Sequence, residues 1–130
     1  MSESGFKYYT AVRPAAPYAN LTVAAPGATT PGLRVPAQLD TGAFMTVIPR
    51  ELTTALGLIQ VREVRVEGLD GAIVLLPTFL VELAVDGLSA ITVEVLASQG
   101  EPTVLVGRDV LNRYRVLLDG PAERVTITEP

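Results

Sequence analysis

The sequence predicts an all-β fold, a small closed or orthogonal β-barrel with one or two short helices. Three observations predict it. Apolar and β-branched residues recur in short runs of strand length, 11 Gly and 10 Pro punctuate the chain between those runs, and only two brief stretches carry helix start and stop signals. With 130 residues the chain suits one domain spanning 1–130, long enough to bury roughly two-thirds of its unfolded surface.

Residues 5–13 and 20–25 mix aromatic, β-branched and polar side chains and are separated by Pro14 and Pro17, so they read as two early strands. Pro26, Gly27, Pro31 and Gly32 then mark a loop before a third strand over 33–39. After a turn at Asp40-Thr41-Gly42 the strand pattern resumes at 45–48. Pro49 fits the first position of a short helix with Leu52, Ala55 and Leu56 on one face and Gly57 as its stop. Residues 61–67 alternate as Val-Arg-Glu-Val-Arg-Val-Glu. Beyond Gly68-Leu69-Asp70-Gly71 an apolar strand runs over 72–83, so the two form a hairpin. Asp86-Gly87 turns the chain into a strand over 88–97. A short buried strand at 103–106, a second short helix at 108–113 and final strands at 115–118 and 124–128 complete the order.

Composition removes most competing chemistries. The chain has no His and no Cys, which excludes a Ser-His-Asp triad, a thiolate nucleophile, and zinc sites built on imidazole or thiolate. An all-carboxylate cation site survives on paper, but the acids are scattered without Asp-x-Asp-x-Asp spacing, and neither metal nor cofactor is expected. A net charge of -4 and the lack of any basic cluster argue against nucleic acid as a partner. Hydrophobic content is high at 48%, yet no apolar run approaches the ~20 residues of a membrane helix, so no membrane partner is expected. The surplus is assigned to a core plus a subunit interface. The N-terminus lacks a basic leader followed by an apolar stretch, which predicts a cytoplasmic protein.

One Asp-Thr-Gly-Ala stands at 40–43, framed by apolar segments on both sides. Hydrolysing a peptide bond without a covalent intermediate takes one group to accept a proton from water and another to donate one to the carbonyl oxygen. Two adjacent carboxylates sharing one proton can do both. Only one such motif is present, so the second carboxylate must come from another copy of the chain. The plainer alternative for Asp40, a turn aspartate capping local amides, is outweighed by the flanking apolar frame, whereas the 68–71 hairpin reads equally well as a plain β-turn.

The chain resembles the retropepsin-like aspartic proteases over residues 33–128. The resemblance rests on Leu39-Asp-Thr-Gly-Ala43 with Thr46-Val-Ile48 after it, the glycine-flanked hairpin, and Leu105-Val-Gly-Arg-Asp-Val-Leu-Asn-Arg-Tyr114 followed by Leu117-Leu-Asp-Gly120. It implies a barrel of the retropepsin type and a homodimeric aspartic endopeptidase acting on peptide or protein substrates in extended, largely apolar segments. It implies Asp40 as catalytic residue. Thr41, Gly42 and Ala43 become loop supports, Thr41 reaching across the two-fold axis. Gly68, Leu69, Asp70 and Gly71 become the flap over bound peptide, Val106 and Gly107 pass beneath the loop, and Arg108 anchors the second helix. Ala43, where pepsin-like enzymes commonly carry Ser, removes a hydroxyl donor and predicts an optimum in mildly acidic conditions. Residues 5–13 and 124–128 are the expected additional glue of the dimer. The chain departs from the retroviral pattern in placing Phe44 and Met45 where acids often pair with the helix arginine, and in about thirty extra residues before the motif strand. The alternative reading is a non-catalytic dimeric peptide-binding or scaffolding module on the same fold.

Overall fold

The computed structural model describes residues 2–68 and 70–130. Its strands are β1 (Glu3–Lys7), β2 (Tyr18–Ala24), β3 (Leu33–Leu39), β4 (Val47–Pro49), β5 (Gln60–Glu67), β6 (Ile73–Val85), β7 (Ile91–Ser98), β8 (Val104–Val106), β9 (Arg115–Asp119) and β10 (Arg124–Thr128). Helix α1 (Arg50–Ala55) follows β4, and α2 (Arg108–Leu111) follows β8.

The order β2-β3-β8-β4-β7-β6 closes on itself through pairing of β2 with β6, making a six-stranded barrel to which β5 is added on the flank of β6. Closure removes open edges. Alternation fills the interior: Ala19, Leu21 and Val23 on β2 and Val81, Leu83 and Val85 on β6 point inward. Ile48, Val95, Val104, Val106 and Val110 complete the same core. Two pairings inside the ring are parallel, β3 with β8 and β4 with β7, so the strand entering the Asp40 loop and the strand entering α2 run side by side.

A separate three-stranded sheet in the order β1-β10-β9 packs Val125 and Ile127 onto this core. β10 has both edges filled within the chain, by β1 and β9, so residues 124–128 offer no strand edge to a second copy.

β1 is shorter than the strand expected over 5–13. Beyond it only Tyr9 and Ala16 pair, by two hydrogen bonds of 2.8 and 3.0 Å that fold the proline-containing segment back on itself. α1 begins one residue later than expected, with Pro49 as its N-cap, and buries Thr53 between the half-buried Leu52 and Leu56 while Ala55 faces solvent. The Thr53 hydroxyl donates to the Arg50 carbonyl at 2.7 Å, so its burial leaves no unmet donor. Gly57 stops α1 with φ +61°, the left-handed geometry glycine adopts without strain. α2 is a single turn, shorter than 108–113. Among the described residues no helix is long and apolar enough to cross a membrane.

Candidate active site

The 40–43 loop is shaped first by its own hydrogen bonds. Buried Leu39 ends β3, and the Asp40 amide donates to the Val106 carbonyl on β8 at 2.9 Å, which ties the start of the loop to the neighbouring strand. The Gly42 amide donates to Asp40 Oδ1 at 2.9 Å and the Ala43 amide to the Asp40 carbonyl at 3.2 Å, so the carboxylate is oriented by the turn it sits in. Asp40 itself is half-buried, whereas Thr41 and Gly42 are exposed.

A second layer of bonds comes from the α2 end of the chain. The Arg108 amide donates to the Ala43 carbonyl at 2.8 Å, and its guanidinium Nη1 donates to the Thr41 carbonyl at 2.7 Å. With Phe44 and Met45 in the positions of the missing acids, the arginine has taken a backbone carbonyl of the loop as acceptor. Thr46 is completely buried. Its amide donates to both oxygens of Asp109 at 3.0 Å, and its hydroxyl donates to Asp109 Oδ1 at 2.8 Å while accepting from the Gly107 amide at 3.0 Å. Asp109 Oδ1 also accepts from the Val110 amide at 2.9 Å. Buried polar groups need such partners, because an unmet donor costs about 1–3 kcal/mol. Gly107 is required by proximity: a Cβ there would lie 2.6 Å from the Met45 carbonyl carbon and 2.8 Å from the Ala43 oxygen. The loop thus rests directly on the backbone at Gly107.

Of the residues predicted for the site, Asp40, Thr41, Gly42 and Ala43 come together on this loop. Gly68, Asp70 and Gly71 form the tip of the β5–β6 hairpin, and Leu69 lies outside the described residues. The tip is a tight turn. The Gly68 amide donates to the Ala72 carbonyl at 2.8 Å, the Ala72 amide to Asp70 Oδ1 at 3.0 Å, and Gly71 holds φ +81°. Among the described residues no hydrogen bond joins this tip to the Asp40 loop. At the hairpin root, Arg62 on β5 reaches over β6 to Glu94 on β7 at 2.7 Å. Hydrogen bonding from Arg62, then from Thr78, holds the Glu94 carboxyl below the ordinary carboxylate value.

Sequence reasoning missed the Thr46–Asp109 clasp, the acceptor of Arg108 and the Arg62–Glu94 brace. The residues of the clasp are visible in the two motifs, but the 63-residue separation between Thr46 and Asp109 is bridged only by the barrel's strand order. Asp40 and Thr41 open onto a cleft of about 500 Å³ walled by Leu111, Tyr114, Val116 and Leu118. No cluster of three metal-ligating side chains occurs among the described residues.

A sequence model of aspartyl proteases matches residues 26–110, which contain the Asp40 loop, the hairpin and the start of α2. The chain belongs to the aspartyl protease family. Solved structures share its retropepsin-like fold. A retropepsin-like aspartic protease from Rickettsia conorii superposes with a TM-score of 0.64 at 13% identity, covering 98% of this chain and 93% of the other. The EIAV protease complexed with the inhibitor HBY-793 gives 0.57 at 21% identity over 75% and 86%. The retroviral protease-like domain of Ddi1 from Leishmania major gives 0.52 at 16% over 80% and 79%. No curated protein sequence matches the chain. Within this family member the barrel supplies one Asp-Thr-Gly loop, held from beneath by the Thr46–Asp109 clasp.

Proposed function

We propose that this chain is a homodimeric aspartic endopeptidase in which Asp40 from each of two protomers holds one water and one shared proton. The observation that carries the reading is the loop itself. Its carbonyls at Thr41 and Ala43 are engaged by Arg108 and its following residue Thr46 is clasped by Asp109, while the Asp40 carboxylate stays half-buried and open to a cleft. One chain supplies one carboxylate, and a two-fold axis supplies the other.

In this mechanism the ionised carboxylate of the pair takes a proton from the water as its oxygen attacks the scissile carbonyl carbon. The protonated partner gives its proton to the carbonyl oxygen. Collapse of the tetrahedral diol breaks the C–N bond, the amide nitrogen leaves with a proton, and the pair returns to its single-proton state. Substrate would lie extended between floor and hairpin. The exposed Val61, Ile73, Val74 and Leu75 on the hairpin and Phe44 beside the loop support a preference for apolar segments, with backbone pairing to the hairpin as in strand addition. An inhibitor-bound protease among the structural neighbours fits the same picture.

Asp40→Asn keeps the Oδ1 acceptor for the Gly42 amide but cannot act as base. It should lower cleavage of casein or a peptide library by about 10²–10⁴-fold or more while the sedimentation profile is unchanged. Equal activity in the variant would remove the mechanism. An unaltered fold and dimer without cleavage by the native chain, at any pH from mildly acidic to neutral, would favour the peptide-binding module.

A further inference from the structure

β1 and β2 take no part in the proposed catalysis, yet they frame a slot whose two walls carry unpaired backbone. The chain turns back between them and the two sides meet at Tyr9 and Ala16, whose amides and carbonyls bond at 2.8 and 3.0 Å. Successive residues of a strand point their backbone groups to opposite sides. On one wall the Tyr8 amide donates to the Glu123 carbonyl at 2.8 Å, so the groups of Gly5 and Lys7 face away from β10, toward β2. On the other the Pro17 carbonyl accepts from the Leu39 amide at 3.0 Å, so those of Tyr18 face away from β3, toward β1. Among the described residues Gly5, Lys7 and Tyr18 have no backbone partner on that side. At the far end Asp86 bridges the same gap: its amide donates to the Asn20 carbonyl at 3.0 Å, and its carbonyl accepts from the Ser4 hydroxyl. The gap is therefore about one strand wide, and its unfilled part is a cavity of about 380 Å³.

The slot continues into an apolar groove of about 570 Å³, and the two share Tyr9, Tyr18 and Pro36. The tyrosine rings lie 4.9 Å apart at the junction, and Pro49 and Pro102 wall the far half. Lys7 lines only the slot and Glu51 only the apolar half; both side chains are exposed, and neither joins an ion pair among the described residues. No residue of either cavity lines the Asp40 cleft. We propose that this groove binds a short extended segment of another protein. The segment pairs its backbone with Lys7 and Tyr18 in the slot and lays apolar or proline side chains over the tyrosine pair. Facing donors and acceptors at strand spacing select a polypeptide, and the rings and prolines beyond them select its apolar residues. The two unpaired charges orient it, an acid toward Lys7 and a base toward Glu51. The inference stands apart from the protease reading, because it uses no residue of the Asp40 loop.

The probe is the fluorescein-labelled peptide Glu-Val-Val-Pro-Leu-Pro-Arg, measured beside its reversed sequence because a strand can pair in either direction. Anisotropy is read on the full-length Asp40→Asn chain, so that cleavage cannot consume the probe. One of the two peptides should bind saturably, with Kd below about 1 mM. Methylating both valine amide nitrogens removes the strand donors and should weaken that peptide at least about tenfold. Lys7→Glu, at an exposed side chain, should weaken it about threefold, and a probe with Lys in place of Glu should recover the loss on that variant. Absence of saturable binding by either peptide would overturn the proposal. Equal binding of the methylated peptide would make the groove an unselective apolar site and overturn it too, as would an unchanged preference of Lys7→Glu for the acidic probe. The two proposals fail separately. Cleavage by the native chain without peptide binding in the groove removes the docking site and leaves the protease, whereas peptide binding without any Asp40-dependent cleavage does the reverse.

Discussion

The loop that carries Asp40 and the β5–β6 hairpin that extends beyond the pairing of β6 with β7 are both turns flanked by strands, yet the protein treats them in opposite ways. The loop from Asp40 to Thr46 is tied to the β8–α2 segment at Asp40, Thr41, Ala43 and Thr46, through Val106, Gly107, Arg108 and Asp109, and ends on a fully buried threonine. The outer half of the hairpin is held mainly by itself. β5 and β6 pair along its length, but Ile73, Val74 and Leu75 are at least half exposed in succession, so both of its faces meet solvent. In the proposed mechanism, fixed polar geometry belongs at the Asp40 loop, where proton transfer needs placement within fractions of an ångström. A segment with few buried contacts is one that opens at low cost, which the proposed endopeptidase would need in order to admit a polymer substrate.

The strongest way to break this contrast is to push the loop off its support. Gly107→Ala places a methyl group 2.6 Å from the Met45 carbonyl carbon, and both partners are backbone, so neither can swing aside. We expect a loss of about 3 kcal/mol in urea unfolding and the disappearance of cleavage even at temperatures where the variant is folded. Native-like stability would mean that the loop is compliant and that the distinction from the hairpin is wrong.

A smaller effect, of about 2–3 kcal/mol, is expected from Asp109→Ala, which strands the buried amide and hydroxyl of Thr46. Thr46→Val removes the hydroxyl alone, and in the double variant the two losses should fall short of their sum because they delete a shared bond. Strict additivity would show the clasp to be two independent contacts rather than one device.

How far these parts could be read from the sequence follows the same division. Strand content, the hairpin and the Asp40 turn were legible because each is a local pattern: alternation, glycine at turns, proline at helix starts. Strand ends moved by a few residues. The segment expected to extend β1 to residue 13 instead folds back at Tyr9 and Ala16, since aromatic and β-branched residues favour extension without choosing a partner strand. On α1 the expected face included Ala55, whereas the helix turns Thr53 inward, a choice open to threonine because its hydroxyl is satisfied locally by the Arg50 carbonyl. The clasp was illegible for a different reason. Thr46 and Asp109 are ordinary residues in their own neighbourhoods, and only the adjacency of β3, β8 and β4 in the barrel brings them within 3.0 Å.

The least effect should come from the brace at the hairpin root, and its pH dependence has a definite sign. Arg62 and Thr78 hold the Glu94 carboxyl below its ordinary value of 4.5, so the charged form is favoured in the folded state. Its contribution is therefore complete above the unfolded-state value and is lost as pH falls through the lower, folded one. Because Arg62 and Glu94 join β5 to β7 across β6, acidification should loosen the hairpin root and leave the Asp40 loop unchanged. Hydrogen-exchange protection, corrected for intrinsic rates, should fall at pH 3 relative to pH 6 for β5 amides near Arg62 but not for the amides of Asp40, Thr46 and Gly107. Glu94→Gln should show the lower protection at both pH values and abolish the difference. If the variant kept the full pH dependence, another carboxylate would hold the hairpin. If the loop amides lost protection in step, the two regions would be one cooperative unit, and the contrast between a fixed loop and a loosely held hairpin would have to be abandoned.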